Sequence, residues 1–199
     1  MSMPARYLLL AQVGFFLSLA VCVVIRPEGL NDNHGWSFYE GRRDTVVPYA
    51  IGMLCAILLT LYASALVQRS STAPRGLATG LRLLALFLLL NLATPDTVSA
   101  FFYWAHDLTS ALLFLYQLGF AIWLVRSVWR TNVGVALVGI QFVGGLVAMF
   151  SQLQLIPLLG LGILVFQVSF GALLVCATAR LPIPAEAGEP VEEVAPAVN

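Results

Sequence analysis

The chain has 199 residues, 60% hydrophobic and 10% charged, with a mean hydropathy of +0.90. A water-soluble domain of this size has no core large enough to hide that much apolar surface, so the expected solvent is lipid. Ten basic and ten acidic residues cancel, which leaves no long-range field for nucleic acid and excludes it as an expected partner. All the basic residues are arginine. With the richness in Ala, Gly and Leu, this points to a GC-rich bacterial genome and a plasma (inner) membrane.

Crossing a bilayer core as a helix takes about 20 apolar residues, and six segments qualify, near 7–25, 47–67, 77–94, 98–125, 133–151 and 157–179. Turn chemistry separates them: Arg26-Pro27-Glu28-Gly29, the run 70–76, Thr94-Pro95-Asp96-Thr97, Arg130-Thr131-Asn132, and a short stretch ending at Pro157. Spans in hydrocarbon must satisfy their own backbone hydrogen bonds, and the strand-period alternation of a barrel is absent. The expected fold is an all-α, polytopic transmembrane bundle of six helices over residues 1–180.

The first segment follows Arg6 as a signal peptide would. It is long enough to span, however, and no small-x-small cleavage pattern precedes Arg26, so an uncleaved anchor is expected. Cys22, Cys55 and Cys176 fall inside spans and read as packing residues, with no disulfide framework or metal-ligand spacing.

The connection that follows, "NDNHGWSFYEGRRDTVVPY" at 31–49, gathers Asp32, His34, Glu40 and Asp44. Trp36, Phe38 and Tyr39 are expected at headgroup level as an aromatic belt. Two histidines, His34 here and His106 later, can with these carboxylates bind zinc, activate water or relay protons. No HExxH, nucleophile elbow or phosphate-cradling glycine loop makes any of these specific, and the cofactor is left open.

Further along, "FYWAHDLTSALLFLYQ" puts His106 and Asp107 within an apolar stretch. The tight turn at Thr94–Thr97 lets the helix begin near 98, which carries them below the membrane surface. Ionisable groups at that depth face the bundle or a cavity. His106, Ser110 and Gln117 share a helix face, with Asn91 close by across the turn. His106, Asp107 and His34 are the candidate catalytic residues.

Gln117, Gln141 and Gln167 lie near the midpoints of the last three spans and are expected to form a polar packing cluster, since an amide in hydrocarbon seeks a partner. Gly76 and Gly80, and Gly144 and Ala148, have the four-residue spacing of close helix contacts. Gln12-Val13-Gly14-Phe15 is echoed at Gln117-Leu118-Gly119-Phe120 and at Gln167-Val168-Ser169-Phe170, a weak sign of an inverted repeat.

Orientation follows from the arginines. With the N-terminus inside, Arg6, Arg69, Arg75, Arg82, Arg126, Arg130 and Arg180 are cytoplasmic, against Arg26, Arg42 and Arg43 outside. Both termini are then expected in the cytoplasm and the loop 31–49 outside. Residues 181–199, with Glu186, Glu189, Glu192 and Glu193 and no aromatic residue, read as a disordered acidic tail.

Six spans, an outer polar loop after the first, and a fourth span carrying His106 with Ala111 and Phe114 behind it resemble the DRAM-like and GPI-lipid-remodelling group of six-helix membrane proteins, and bacterial membrane proteins of similar layout. The resemblance covers residues 7–179 and implies a six-helix bundle in contact with lipid, with His106 at an outer site. Three functions stand: a non-catalytic scaffold, accessory or sensor protein with a membrane-protein partner; an outward-facing lipid-processing enzyme; and a small transporter. Membrane lipids are partners in all three.

Overall fold

The computed structural model describes residues 1–30, 35–70, 73–74 and 76–181. Asp32, His34, Arg75 and the tail from 182 onward lie outside the described residues. The described residues form seven α-helices, α1 Met3–Ile25, α2 Ser37–Glu40, α3 Val46–Arg69, α4 Leu77–Leu92, α5 Ala100–Ser127, α6 Asn132–Gln152 and α7 Leu159–Ala179, with a short 3-10 turn at Pro27–Leu30.

The helix starts follow from local chemistry. Ser2, Ser99 and Thr131 sit extended before α1, α5 and α6, and each side-chain oxygen accepts from a backbone N–H three residues on, at Ala5, Phe102 and Gly134. This satisfies donors that the first turn leaves orphaned. α1 stops at Arg26 because Pro27 disfavours helical backbone in the residue before it. α4 begins after Gly76 at φ 100, a left-handed conformation that suits glycine.

Five helices, α1, α3, α5, α6 and α7, are long and apolar enough to cross a membrane. α4 is apolar but has 16 residues, a rise of about 24 Å, against a hydrocarbon core of about 30 Å. Large side chains point outward as lipid demands, with Leu17, Val24, Leu58, Leu115 and Val135 all more than half exposed.

Neighbouring helices run antiparallel. α1 packs on α3 and α7, α3 on α4, α4 on α5, and α6 mainly on α7. The α6–α7 contact brings backbones together: a Cβ at Gly162 would stand 2.5 Å from Ala148 N, and one at Gly144 2.7 Å from Phe166 N. The main core, around Leu8, Leu81, Leu113, Phe120, Leu124 and Phe170, fills the bundle between α1, α4, α5 and α7. A second core, Leu19, Cys22, Trp36, Phe38, Tyr39, Tyr49 and Met53, lies where the first connection folds back over the bundle.

The two ends differ in charge. The turns between α1 and α3, α4 and α5, and α6 and α7 share one end with Glu28, Glu40, Asp44, Asp96 and Asp107. The opposite end holds Arg6, Arg69, Arg82, Arg126, Arg130 and Arg180.

Candidate functional site

The described parts of the connection between α1 and α3, residues 26–30 and 35–45, form a plug in the mouth of the bundle. Its aromatic residues turn inward: Trp36 is 7% exposed and Tyr39 0%, where the sequence suggests a belt at the membrane surface. The Trp36 ring lies 5.6 Å from Phe15 and 6.1 Å from Phe16. Gly29 admits this packing, because a Cβ there would stand 2.5 Å from Phe38 and 2.7 Å from Tyr39.

α2 aims Ser37 and Glu40, three residues apart and on one face, at His106. The Ser99 cap starts α5 at Ala100, which sets His106 nearly two turns into the helix and 3% exposed. His106 Nδ1 lies 2.8 Å from the Thr94 carbonyl. A carbonyl only accepts, so Nδ1 carries the hydrogen. His106 Nε2 lies 2.6 Å from Ser37 Oγ, and in the neutral ring it accepts the Ser37 hydroxyl proton. Glu40 Oε2 stands 3.9 Å from Nδ1, with both side chains 4% exposed. That oxygen has no hydrogen bond.

Burial is the main cause that pushes the Glu40 carboxyl up, to about 8, and the negative charge of Asp96 adds to it. Tyr39, whose buried hydroxyl has no hydrogen bond, is also raised, by burial first and then by Cys22 and Glu28. Thr45 Oγ1 donates to the Tyr39 carbonyl at 2.7 Å and fixes the turn back into α3.

The other expected residues separate into those that join this cluster and those that do not. Asp44 instead accepts from Arg26 Nε at 2.6 Å on the exposed rim, and Arg26 also reaches Glu28 at 3.3 Å. The Arg26 hydrogen bond holds the Asp44 carboxyl below its usual range. Asp107 follows His106 along α5, about 100° around the helix, and is half-buried. Asp32 and His34 lie outside the described residues. Among the described residues no group of three or more His, Cys, Asp or Glu is arranged to hold a metal ion.

Hydrogen bonds continue the seam below His106. Asn91 Nδ2 donates to Ser110 Oγ at 2.6 Å, and the Thr94 and Thr109 hydroxyls stand 3.3 Å apart. Deeper, Gln117 and Gln167 form a reciprocal amide pair at 3.1 and 3.0 Å. Gln141 does not join them: it is 0% exposed and neither amide atom has a hydrogen-bond partner. Ser37 and Thr94, the two direct partners of His106, are absent from the sequence-derived candidates. The only signal for Ser37 was its three-residue spacing from Glu40.

Two cavities of about 250 Å³ each lie elsewhere, one beside Arg126 and Arg130 and one at the α6–α7 turn around Ser151 and Gln154. The described residues form an all-helical protein with several potential membrane spans, in which Ser37 and the buried Glu40 of the plug meet the buried His106 of α5. No family model, curated protein or solved structure matches the chain.

Proposed function

We propose that the chain is a six-span protein of a bacterial inner membrane, with both termini cytoplasmic, that acts without chemistry of its own as a sensor or accessory subunit. Its responsive element is the plug on the outer face. One observation carries this reading: His106 is 3% exposed and bonded at both ring nitrogens, to Ser37 and to Thr94, with a glutamate 3.9 Å away. A carboxyl buried so close to this link couples the seating of the plug to the protonation of Glu40, because charging it in a dry site is costly.

The groups facing Glu40 are His106 from α5, Asp96 from the α4–α5 turn and Tyr49 from α3. The arginine distribution supports the orientation, and the apolar length of the segments supports the spans. Under this orientation the acidic end meets the external medium, whose pH varies more than that of the cytoplasm.

The bond between Ser37 Oγ and His106 Nε2 favours a second reading, an outer-leaflet hydrolase. A nucleophile in hydrogen-bond contact with a base, itself oriented by a third group, is the arrangement of covalent catalysis. Ser37 Oγ would attack an acyl carbonyl while His106 takes its proton and passes it to the departing alcohol, and water would then release the acyl group from Ser37. The resemblance to lipid-remodelling proteins makes a lipid ester the substrate class.

A fluorophosphonate probe separates the two readings. Under the sensor reading the purified full chain stays unlabelled at Ser37, while its thermal midpoint responds to pH in a way that Glu40→Gln removes. Labelling of Ser37 that disappears in His106→Gln establishes the enzyme instead.

A further inference from the structure

Among the described residues, the arginine-rich end of the bundle holds no carboxylate. Every described acidic residue stands at the opposite end, so Arg6, Arg69, Arg82, Arg126, Arg130 and Arg180 have no described carboxylate within their own end. Arg82 donates to Gln68, and Arg180 lies over the Trp129 ring at 5.7 Å.

Arg126 and Arg130 line a cavity of about 250 Å³ between the end of α5 and the start of α6. Arg130 Nε donates to the Arg126 carbonyl at 2.5 Å. That bond fixes the Arg130 guanidinium against the last turn of α5, at the cavity that Arg126 also lines, and leaves the outer nitrogens of Arg130 for another acceptor. The Thr131 hydroxyl oxygen accepts from Gly134 N and Asn132 adds a neutral amide, so the charge lining the cavity comes from the two guanidinium groups. The first-turn amides of α6 add a weaker positive contribution. Val125 and Val135 complete the lining with apolar surface, and Val135 is 61% exposed.

We propose that this cavity binds the phosphate of an anionic lipid headgroup at the bilayer surface. Arg126 and Arg130 clasp the phosphate oxygens, because planar guanidinium donors match that geometry. Val125 and Val135 pack against the first carbons of the acyl chain, a contact that free phosphate cannot make. Basic pockets between helix ends at the membrane surface suit such headgroups on charge and depth alone.

The test uses the full chain in nanodiscs of phosphatidylcholine, with and without a minor fraction of phosphatidylglycerol, reading retained lipid by native mass spectrometry and the thermal midpoint. Wild type is expected to retain phosphatidylglycerol and to gain thermal stability from it. Arg126→Gln with Arg130→Gln should lower retention roughly tenfold, as loss of charge-assisted hydrogen bonds implies. Arg69→Gln, at the same end but outside the cavity, should retain the lipid as wild type does. Equal loss in Arg69→Gln would reduce the effect to general surface charge and overturn the site. So would unchanged retention in the double variant, or stabilisation by inorganic phosphate equal to that by the lipid. Because both leaflets of the disc have the same composition, the result does not depend on orientation, and a failure here leaves the sensor reading standing.

Discussion

Ser37 Oγ and His106 Nε2 meet at 2.6 Å across 69 residues of sequence. That contact joins a four-residue helix in the first connection to the long helix α5, and with the Thr94 carbonyl on Nδ1 it makes one imidazole the link between the plug, the α4–α5 turn and the bundle. Replacing His106 by alanine strands the half-buried Ser37 hydroxyl and the Thr94 carbonyl. The expected loss of stability in detergent is about 1–3 kcal/mol, measured by thermal unfolding. Ser37→Ala alone should cost less, and the double variant should fall short of the sum, since the two residues share one interaction.

Glu40 gives the plug a pH dependence of defined sign. Its ordinary value is 4.5 and burial raises it to about 8. Between those values the folded chain keeps a proton that the unfolded chain has released, so the contribution to stability is full below about 4.5 and is lost as pH rises through about 8. The thermal midpoint of wild type should therefore fall across that window. Glu40→Gln, which stays neutral, should flatten the profile and exceed wild type at its alkaline end.

The glutamines separate by their partners. Gln117→Leu and Gln167→Leu each leave one amide alone and should cost about 0.6–2 kcal/mol, with the double variant costing less than the sum. Gln141→Leu removes a buried amide with no hydrogen bond in the fold and should be neutral or stabilising by the same thermal measurement.

The α6–α7 contact should tolerate no added methyl group. Gly162→Ala sets a Cβ 2.5 Å from the backbone nitrogen of Ala148, which no side-chain rotation relieves, and a loss of about 1–3 kcal/mol is expected. Gly139 on the same helix as Gly144 has open space around it, so Gly139→Ala should gain up to about 1 kcal/mol from helix propensity. Equal effects at the two positions contradict the close backbone approach.

The apolar segments were legible because lipid imposes one rule on every span, and the helical bundle follows from it. α4 was less so: the turn residues Thr94-Pro95-Asp96-Thr97 suggested a segment to 94, whereas the helix ends at Leu92 and Thr94 turns its carbonyl onto His106. Depth can be counted along a helix, which brings Gln117, Gln141 and Gln167 to one level. Rotation about the helix axis depends on packing, and it unites two of them and leaves the third apart.

The aromatic residues of the plug show the same limit. Trp36, Phe38 and Tyr39 have the composition of an interfacial belt, and only the tertiary fit against Phe15, Phe16 and Gly29 turns them inward. Beyond its three-residue spacing from Glu40, nothing in the sequence marks Ser37, since a loop serine ordinarily bonds to water or to nearby backbone.

The central claim is that the protonation of Glu40, 3.9 Å from His106, governs how the plug sits on the bundle. Spin labels at Arg43 and Val98, both exposed, in a background without the native cysteines, report the distance between plug and α4–α5 turn by pulsed electron resonance. One narrow distance distribution is expected below pH 7, broadening or shifting as pH rises through about 8, with Glu40→Gln narrow throughout. A distribution unchanged by pH in wild type, or one that shifts equally in Glu40→Gln, contradicts the claim.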